Sequence, residues 1–353
     1  MNNRLRLAVA GVGALGRHHA RILSGFDDVQ LVGVVEPRRE QGERVASDFG
    51  TRWFPDVNSV IGQIDGIVVA VPTVFHAEVA LPILKARIPV LMEKPLASSL
   101  QEALQLHRMA AESGTFIQVG HVERFNPAFD LLRKQIGRPL HIRCQRVSPY
   151  TFRSTDIGVV HDLMIHDIDL ILALTGSDVC GVESFGSVTF GPHEDMAVAR
   201  IRTQSGVIVD LTASRMCPTA ERSIQVWSDE GFASADLSTR QVTVWRPEPM
   251  FRENPALVHT IVANTPDPLK LKDEVFTKWI RPEILQASSE DALTAELRDF
   301  VHCIRTGSRP RVNSFDAVRA MEVAGMVLSR MEKWSWQNPA AKMPQSAFER
   351  RAA

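Results

Sequence analysis

A lysine beside a carboxylate is the first candidate for chemistry in this sequence. Glu93-Lys94-Pro95 follows the apolar run Val90-Leu91-Met92, so the two opposite charges are predicted to lie at the end of a buried strand. A lysine held there can polarise a hydroxyl group when neighbouring charge or burial tunes its basicity. Taken alone, an E-K-P tripeptide is more often a solvated turn, and that alternative stays open at this point.

A histidine flanked by aspartates is the second candidate. Asp162, His166 and Asp169 stand at positions i, i+4 and i+7, which predicts that they share one face of a helix. A histidine held by carboxylates one turn away can act as a general base, because the acid groups orient the imidazole. Metal sites use the same residue types, but the spacing is not H-E-x-x-H, and we predict no metal. A polar helix face without a catalytic role is the other interpretation.

A glycine loop near the N-terminus predicts a phosphate-binding turn. Gly11-Val12-Gly13-Ala14-Leu15-Gly16 has the G-x-G-x-x-G spacing, follows the apolar strand Leu5–Val9 and opens a helix. The first glycine permits the tight turn, the second lets the backbone approach a pyrophosphate, and the third allows close packing of helix on strand. The N–H groups at the start of the helix then face the phosphates. The predicted cofactor-binding residues of this loop are Gly11, Gly13, Ala14, Leu15 and Gly16.

The residue at the end of the next strand predicts which dinucleotide binds. Glu36 comes twenty residues after Gly16, where a carboxylate accepts hydrogen bonds from the adenosine ribose and repels a 2′-phosphate. NAD is therefore favoured over NADP. Arg38 and Arg39 keep NADP open, because a nearby arginine can bind a 2′-phosphate.

A third polar segment follows the third predicted strand. Pro72-Thr73-x-x-His76 lies at the carboxyl edge of the sheet, where ligands bind in proteins of this kind, and we predict that Pro72, Thr73 and His76 contact the cofactor. The alternative is a helix start with Thr73 as its N-cap. Both interpretations are compatible with each other.

The elements that must position these residues fall into two groups. Over the first 120 residues, short apolar strands alternate with helical patterns, which is typical of a parallel sheet covered on both faces. After about residue 122, strand-like runs joined by short turns predominate. We predict an α/β Rossmann domain at residues 1–122, an α+β domain with a large, mostly antiparallel sheet at 123–335, and a tail at 336–353. Residues 246–289 are rich in proline, and the sequence assigns them no role.

Composition excludes several classes of function. The chain has 353 residues with 44% hydrophobic and 23% charged side chains, which is ordinary for a globular protein. A formal net charge of −1 argues against binding to nucleic acid or to an anionic membrane surface. The four cysteines form no C-x-x-C pair, so we expect buried free thiols, and the sequence shows no membrane or signal segment. A cytoplasmic location is expected.

Together these motifs resemble the glucose–fructose oxidoreductase/inositol dehydrogenase (Gfo/Idh/MocA) family, over nearly the whole chain. The resemblance implies that Lys94 is the active-site lysine, that Glu93 lies near the nicotinamide ribose and that Pro95 often follows a cis peptide bond. It further implies that Asp162 and His166 are the acid and the usual candidate base. Whether Lys94 or His166 takes the proton stays open. We favour His166 as base, with Lys94 polarising the hydroxyl and Asp162 orienting the histidine.

A narrower resemblance concerns the branch of the family that oxidises the 3-hydroxyl of UDP-N-acetylglucosamine. It is carried by the segments Gly120–Pro127 and Met164–Asp169. It implies that Arg124 and Asn126 lie beside the active site, and a role in lipopolysaccharide biosynthesis. Arginines and a tyrosine further on can meet a diphosphate or sugar hydroxyls, although surface ion pairing is the alternative for each arginine. The predicted substrate-binding residues are Lys94, Arg124, Asn126, Arg146, Tyr150, Arg153, Asp162 and His166.

These observations predict an enzyme that moves hydride from a sugar carbon to NAD while a side chain removes the hydroxyl proton. Alternative substrates are another nucleotide sugar or a free polyol such as inositol. An NAD-binding sensor without catalysis is a further alternative, which the presence of both Lys94 and His166 disfavours. The resemblance also implies a homodimer or homotetramer.

Overall fold

The computed structural model describes residues 4–152 and 157–335, and the chain divides into two compact units. The first unit comprises residues 1–125 and 290–323, and the second comprises residues 126–289 and 324–353, as far as these are described. Residues 290–323, which the sequence-based limits place in the second domain, thus belong to the first unit. The predicted tail at 336–353 lies outside the described residues.

A six-stranded sheet forms the centre of the first unit. Its strands are β1 (Leu5–Ala10), β2 (Val29–Val35), β3 (Arg52–Phe54), β4 (Gly66–Val69), β5 (Val90–Glu93) and β6 (Ile117–Gly120). Their order is β3-β2-β1-β4-β5-β6, and every pairing is parallel. The strands β4, β5 and β6 are buried along their whole length, because helices cover both faces. This order is that of the doubly wound dinucleotide-binding fold, and it confirms the predicted Rossmann domain.

The helices of the first unit are α1 (Ala14–Ser24), α2 (Arg39–Asp48), α3 (His76–Lys85), α4 (Leu100–Ser113), α10 (Ala292–Thr306) and the start of α11 (Ser314–Arg330). Local chemistry sets the ends of α4, because the Ser99 hydroxyl accepts a hydrogen bond from the Glu102 N–H and the left-handed Gly114 closes the helix. Leu297 and Phe300 of α10 join the same hydrophobic cluster as Leu7 of β1, which explains why this late helix belongs to the first unit.

The second unit is built on a nine-stranded sheet. Its strands are β7 (Pro139–Val147), β8 (Val179–Val188), β9 (Met196–Thr203), β10 (Ile208–Ser214), β11 (Glu221–Ser228), β12 (Gly231–Asp236), β13 (Gln241–Pro247), β14 (Ile280–Gln286) and β15 (Met331–Ser335). Their order is β14-β13-β12-β11-β7-β10-β9-β8-β15. Only the pairs β7–β10 and β8–β15 are parallel among the described strands, so the predicted mostly antiparallel sheet is confirmed. In β9, Ala197, Ala199 and Ile201 are buried while the residues between them are exposed, as the period-2 pattern predicts.

Helices of the second unit are α5 (Pro127–Gln135), α6 (Ile165–Thr175), α7 (Pro249–Glu253), α8 (Leu257–Ala263) and α9 (Lys272–Glu274). A π-helical turn, Val160–Met164, runs directly into α6. Residues 246–289 consist of the short helices α7 to α9 and of β14, which pairs with β13 in the sheet. This segment is therefore an extension of the second sheet and the helices that precede its last strand.

The helix α11 ends at Arg330 and is followed directly by β15. Strand β14 is mostly exposed and is defined by backbone pairing, so it carries no hydrophobic pattern to detect. The four cysteines are free, but only Cys144 and Cys303 are buried, because Cys180 is exposed and Cys217 is half-buried. Over the described residues, no helix has the length and apolar character needed to cross a bilayer.

Candidate active site

The glycine loop has the geometry that a dinucleotide requires. Gly11 has φ +81°, and a Cβ atom there would lie 2.7 Å from the carbonyl oxygen of Ala70, so only glycine fits. A Cβ on Gly16 would overlap the carbonyl oxygen of Gly11. At Gly13, by contrast, no heavy atom of the described residues beyond its immediate neighbours lies within 4 Å of a Cβ position. The loop is thus closed on the protein side and open at Gly13, where a pyrophosphate would approach.

The start of α1 completes this cradle. Gly13 is its N-cap and, having no side chain, makes no capping hydrogen bond. Ala14 and Leu15 begin the helix and are exposed. The first N–H groups of a helix lack intrahelical partners and carry a partial positive charge, so this end suits an anion. The residues present therefore fit a dinucleotide.

Glu36 directly follows β2 and is buried, with 4% of its surface exposed. Its Oε2 accepts a hydrogen bond from the Val12 N–H (3.3 Å), and its Oε1 accepts one from Nε of Arg38 (2.8 Å). The carboxylate is thus tied to the glycine loop while the Arg38 side chain remains 71% exposed. A carboxylate accepts up to about four hydrogen bonds, so Glu36 keeps capacity for ribose hydroxyls.

The Pro72-Thr73-x-x-His76 segment differs from its prediction in two respects. Thr73 begins a 3₁₀ turn, and the N-cap of α3 is Phe75, so Thr73 does not cap the helix that holds His76. His76 is 1% exposed, and its ring nitrogens lie 3.2 and 3.1 Å from the carbonyl oxygens of Leu96 and Val71. Burial lowers the pKa of His76, so the ring is neutral and links two backbone segments. Its imidazole faces the protein interior, and a direct cofactor contact is not supported.

Lys94 lies at the end of β5, half-buried, after the buried Glu93. The Lys94–Pro95 peptide bond is cis, as the family resemblance implies. Burial, together with the positive charges of Lys94 and Arg124, lowers the pKa of His121 to about 3. His121 is therefore neutral, and the two cations share one region of the first unit.

The helix of the second unit begins in a different form from the predicted one. Asp162 lies in the π turn, whereas His166 lies in the first turn of α6. Both are half-buried, but Asp169 is 1% exposed. Asp169 follows His166 by three residues within the same regular helix, so its stronger burial comes from the packing around α6 and not from the π turn. π turns inside helices occur frequently at functional sites.

Two residues predicted to bind the substrate form hydrogen bonds within the second unit. Arg146 is 4% exposed and donates from Nη2 to Oδ1 of Asp167 (2.8 Å) and from Nε to both oxygens of the same carboxylate. Asn126 caps α5, because its Oδ1 accepts from the Ala128 N–H (3.0 Å) while its Nδ2 donates to the Leu237 carbonyl (2.9 Å). These hydrogen bonds tie both side chains to neighbouring elements of the fold.

The remaining predicted contacts are placed as follows. Arg124 donates from Nη2 to the Arg311 carbonyl (3.3 Å). Tyr150 is half-buried, lies beside Phe152 and Phe190, and has the Arg215 guanidinium 5.1 Å from its ring centroid. Arg153 lies outside the described residues. Within the described residues, no group of three or more potential ligand side chains could hold a metal ion.

Sequence reasoning missed three buried ionisable residues that shape these regions. His19 on α1 contacts Glu93, Asp167 pairs with Arg146, and Glu296 is fully buried on α10. The position of His19, three residues after the last glycine of the loop, was the one available signal. The partners of the other two lie in distant elements, which no local pattern reveals.

Comparisons with known proteins agree with this architecture. Residues 5–121 match an oxidoreductase family described as an NAD-binding Rossmann fold, and residues 131–234 match the GFO/IDH/MocA C-terminal domain. The chain is 31% identical over 301 residues to a UDP-N-acetylglucosamine 3-dehydrogenase of Acidithiobacillus ferrooxidans, covering 85% of this chain and 88% of that protein. The chain belongs to the Gfo/Idh/MocA oxidoreductase family.

Two further relatives define how far this assignment reaches. A scyllo-inositol 2-dehydrogenase (NAD(+)) of Bacillus subtilis is 28% identical over 344 residues, covering 92% of this chain and 93% of that one. The solved structure of the Acidithiobacillus ferrooxidans enzyme superposes with a TM-score of 0.81 at 28% identity, covering 93% of this chain and 98% of that one. This member of the family is an NAD-dependent dehydrogenase that acts on the CH–OH group of a sugar or polyol.

Proposed function

We propose that this dehydrogenase oxidises the 3-hydroxyl of UDP-N-acetylglucosamine to the 3-keto sugar. The observation that carries the proposal is the likeness to the Acidithiobacillus ferrooxidans enzyme, which extends through both units at 31% identity. Two segments that suggested this branch from the sequence support it. Gly120–Pro127 follows β6 and contains Arg124, and Met164–Asp169 contains His166.

The proposed chemistry divides among three side chains. Bound NAD accepts the hydride from the sugar carbon, while the hydroxyl proton goes to a side chain of the protein. We assign that proton to the imidazole of His166, the orientation of this imidazole to Asp162, and polarisation of the hydroxyl oxygen to the ammonium group of Lys94. Lys94 as the base is the alternative assignment. Arg124 and Tyr150 remain candidates for the phosphates and the sugar, and so does Arg153, which lies outside the described residues.

A free polyol is the second candidate substrate. The specific observation in its favour is the likeness to the Bacillus subtilis inositol dehydrogenase, which covers more of the chain at only slightly lower identity. The distinction matters because a nucleotide sugar brings a diphosphate that needs cationic partners, whereas inositol does not. A homodimer or homotetramer and a role in lipopolysaccharide biosynthesis stay predictions.

The test is a substrate panel with deuterium at the carbon to be oxidised. UDP-N-acetylglucosamine, its uronic acid, inositol and glucose are each incubated with NAD or NADP, with an aminotransferase and its amino donor present to remove keto product. We expect reduced NAD with UDP-N-acetylglucosamine, and transfer of the deuterium to the nicotinamide only from the 3-deuterated sugar. Turnover of inositol alone, or deuterium transfer from another carbon, would contradict the proposal.

A further inference from the structure

A buried histidine connects the two segments that define the cofactor half of the first unit. His19 lies on α1, the helix that opens with the glycine loop, and none of its surface is exposed. Its Nε2 is 2.6 Å from Oε1 of Glu93, the residue before Lys94.

The direction of this hydrogen bond follows from the chemistry of the pair. An ionised carboxylate only accepts hydrogen bonds, so Nε2 of His19 carries a hydrogen atom and donates the hydrogen bond to Glu93. Nδ1 of the same ring is buried and has no hydrogen-bond partner among the described residues. Glu93 is therefore the one described group to which the ring is anchored, and the contact does not compete with another.

The pocket around Glu93 makes this donor necessary. Glu93 is 8% exposed, and a Cβ atom added to Gly120 would lie 2.8 Å from its Oε2, so the opposite side of the carboxylate is closed. Glu296 on α10 is fully buried, and both of its carboxyl oxygens lack a hydrogen-bond partner among the described residues. Burial raises the pKa of Glu296 well above its usual value, and the nearby charge of Glu93 raises it further. A neutral Glu296 relieves the repulsion that a second carboxylate would exert on Glu93.

We propose that His19 is a positioning residue of the cofactor site, which holds the Glu93 carboxylate and so fixes the Lys94 segment relative to the glycine-loop helix. The glycine loop and Lys94 belong to different elements, α1 and the end of β5, and both must be in place for one dinucleotide. A buried carboxylate that loses its donor has an unmet hydrogen bond, which favours rotation out of the pocket. Such a rotation would displace Lys94, its neighbour in the chain.

The experiment compares two amides at position 19 that differ by one methylene group. In His19→Gln the amide nitrogen reaches about as far as Nε2 of the imidazole and can still donate to Glu93, whereas in His19→Asn it falls short. The dissociation constant for NADH is measured by fluorescence titration without any sugar, beside a thermal unfolding curve. We expect His19→Asn to weaken NADH binding at least about tenfold, the scale of one hydrogen bond to a charged group, and His19→Gln to stay within about threefold of the wild type.

A matched control and a second variant keep the test decisive. His18→Asn changes the exposed neighbour on the same helix and should leave the NADH dissociation constant unchanged. Gly120→Ala places a methyl group against Oε2 of Glu93 and should also weaken NADH binding. This variant tests the proposal independently if His19→Asn does not fold. Equal binding by His19→Asn and His19→Gln, or wild-type binding by Gly120→Ala, would overturn the proposal. Because no sugar is present, failure here leaves the proposed substrate untouched, and the reverse also holds.

Discussion

The two units of this dehydrogenase bury their charged side chains in different ways. In the first unit, Glu93 contacts His19, and the nearby carboxyl group of Glu296 has no hydrogen-bond partner for either oxygen among the described residues. In the second unit, the buried carboxylates of Asp167 and Asp195 each lie against an arginine, with the shortest nitrogen–oxygen distances at 2.8 and 2.7 Å. Arg146 pairs with Asp167, and Arg215 pairs with Asp195.

The difference teaches which charges are structural and which are suited to chemistry. A paired buried ion holds one geometry and resists change, because removing either partner leaves an unpaired charge in a medium of low polarity. A carboxyl group with few partners instead sits at an elevated pKa, and groups of that kind concentrate at functional sites. The first unit thus has a cluster of His19, Glu93 and Glu296 next to Lys94 in which the pKa of a carboxyl group is shifted. The second unit instead has the Arg146–Asp167 ion pair, which fixes the helix that carries His166.

The largest expected effect is on turnover, since the proposed proton chemistry needs one residue from each unit. Replacing Lys94 or His166 by alanine should lower kcat about 10²–10⁴-fold, the usual contribution of a positioned acid or base. Steady-state rates of NAD reduction measure the effect, and circular dichroism melting shows that the fold is intact. Both residues are half-buried, so neither substitution opens a large cavity.

Exposed residues of the same types provide the controls. Lys85→Ala, at the end of α3, and His18→Ala, on α1, should turn over at the wild-type rate. If only the Lys94 variant loses activity, the chemistry belongs to the first unit alone and the assignment of His166 as base is wrong.

The sequence predicted the local parts of the site, and it did not predict the parts made by distant residues. Gly11, Gly13 and Gly16 act through backbone requirements within one turn, so spacing alone identifies them. The ion pair of Arg146 was not predicted because its partner, Asp167, is 21 residues away on another element. Which charge a buried arginine meets depends on how strands and helices pack, and the residue type does not contain that information. The π turn at Asp162 was invisible for the same reason, since helical periodicity assumes a regular helix.

The second prediction tests whether the buried Arg146–Asp167 ion pair stabilises the second unit. Asp167→Ala leaves the Arg146 guanidinium buried without its carboxylate and should lower the free energy of unfolding by about 3–5 kcal/mol. The double variant Arg146→Met/Asp167→Leu removes both charges at similar volume and should recover most of that loss. Urea denaturation followed by fluorescence measures all three proteins.

An exposed ion pair provides the contrast for that experiment. Arg39 and Glu43 pair on the surface of α2, with side chains 74% and 49% exposed, and Glu43→Ala should change stability little. A small loss in Asp167→Ala, comparable to that of Glu43→Ala, would mean that the buried pairs of the second unit are not what holds the helix of His166.

The third prediction concerns the pH dependence of stability in the first unit. Burial raises the pKa of Glu296 above its ordinary value of 4.5 in the folded protein, so the folded state binds a proton that the unfolded state has lost. Stability therefore falls as pH rises above about 4.5, by up to about 1.4 kcal/mol per pH unit, until Glu296 ionises in the folded protein. Glu296→Gln removes this dependence, so its advantage over the wild type should grow between pH 5 and pH 8 in urea denaturation series.

Glu112→Gln is the matched control, because Glu112 is exposed on α4. Its difference from the wild type should be constant over the same pH range. A constant difference for Glu296→Gln as well would show that Glu296 is ionised in the folded protein and that its pKa is not raised by burial beside Glu93.

The smallest expected effect is on cofactor preference, and it separates Glu36 from the Glu93 cluster. Glu36 is buried like Glu93, but its partners are the Val12 N–H and the exposed Arg38, so its carboxylate lies beside the glycine loop. Glu36→Gln removes the charge that repels a 2′-phosphate and frees Arg38 to bind one, so the ratio of kcat/KM for NAD over NADP should fall about tenfold, or about 1.4 kcal/mol. Arg38→Gln should shift the ratio in the opposite direction, and Glu40→Gln, exposed on α2, should leave it unchanged. An unaltered ratio in Glu36→Gln would mean that this carboxylate serves the loop and does not select the cofactor.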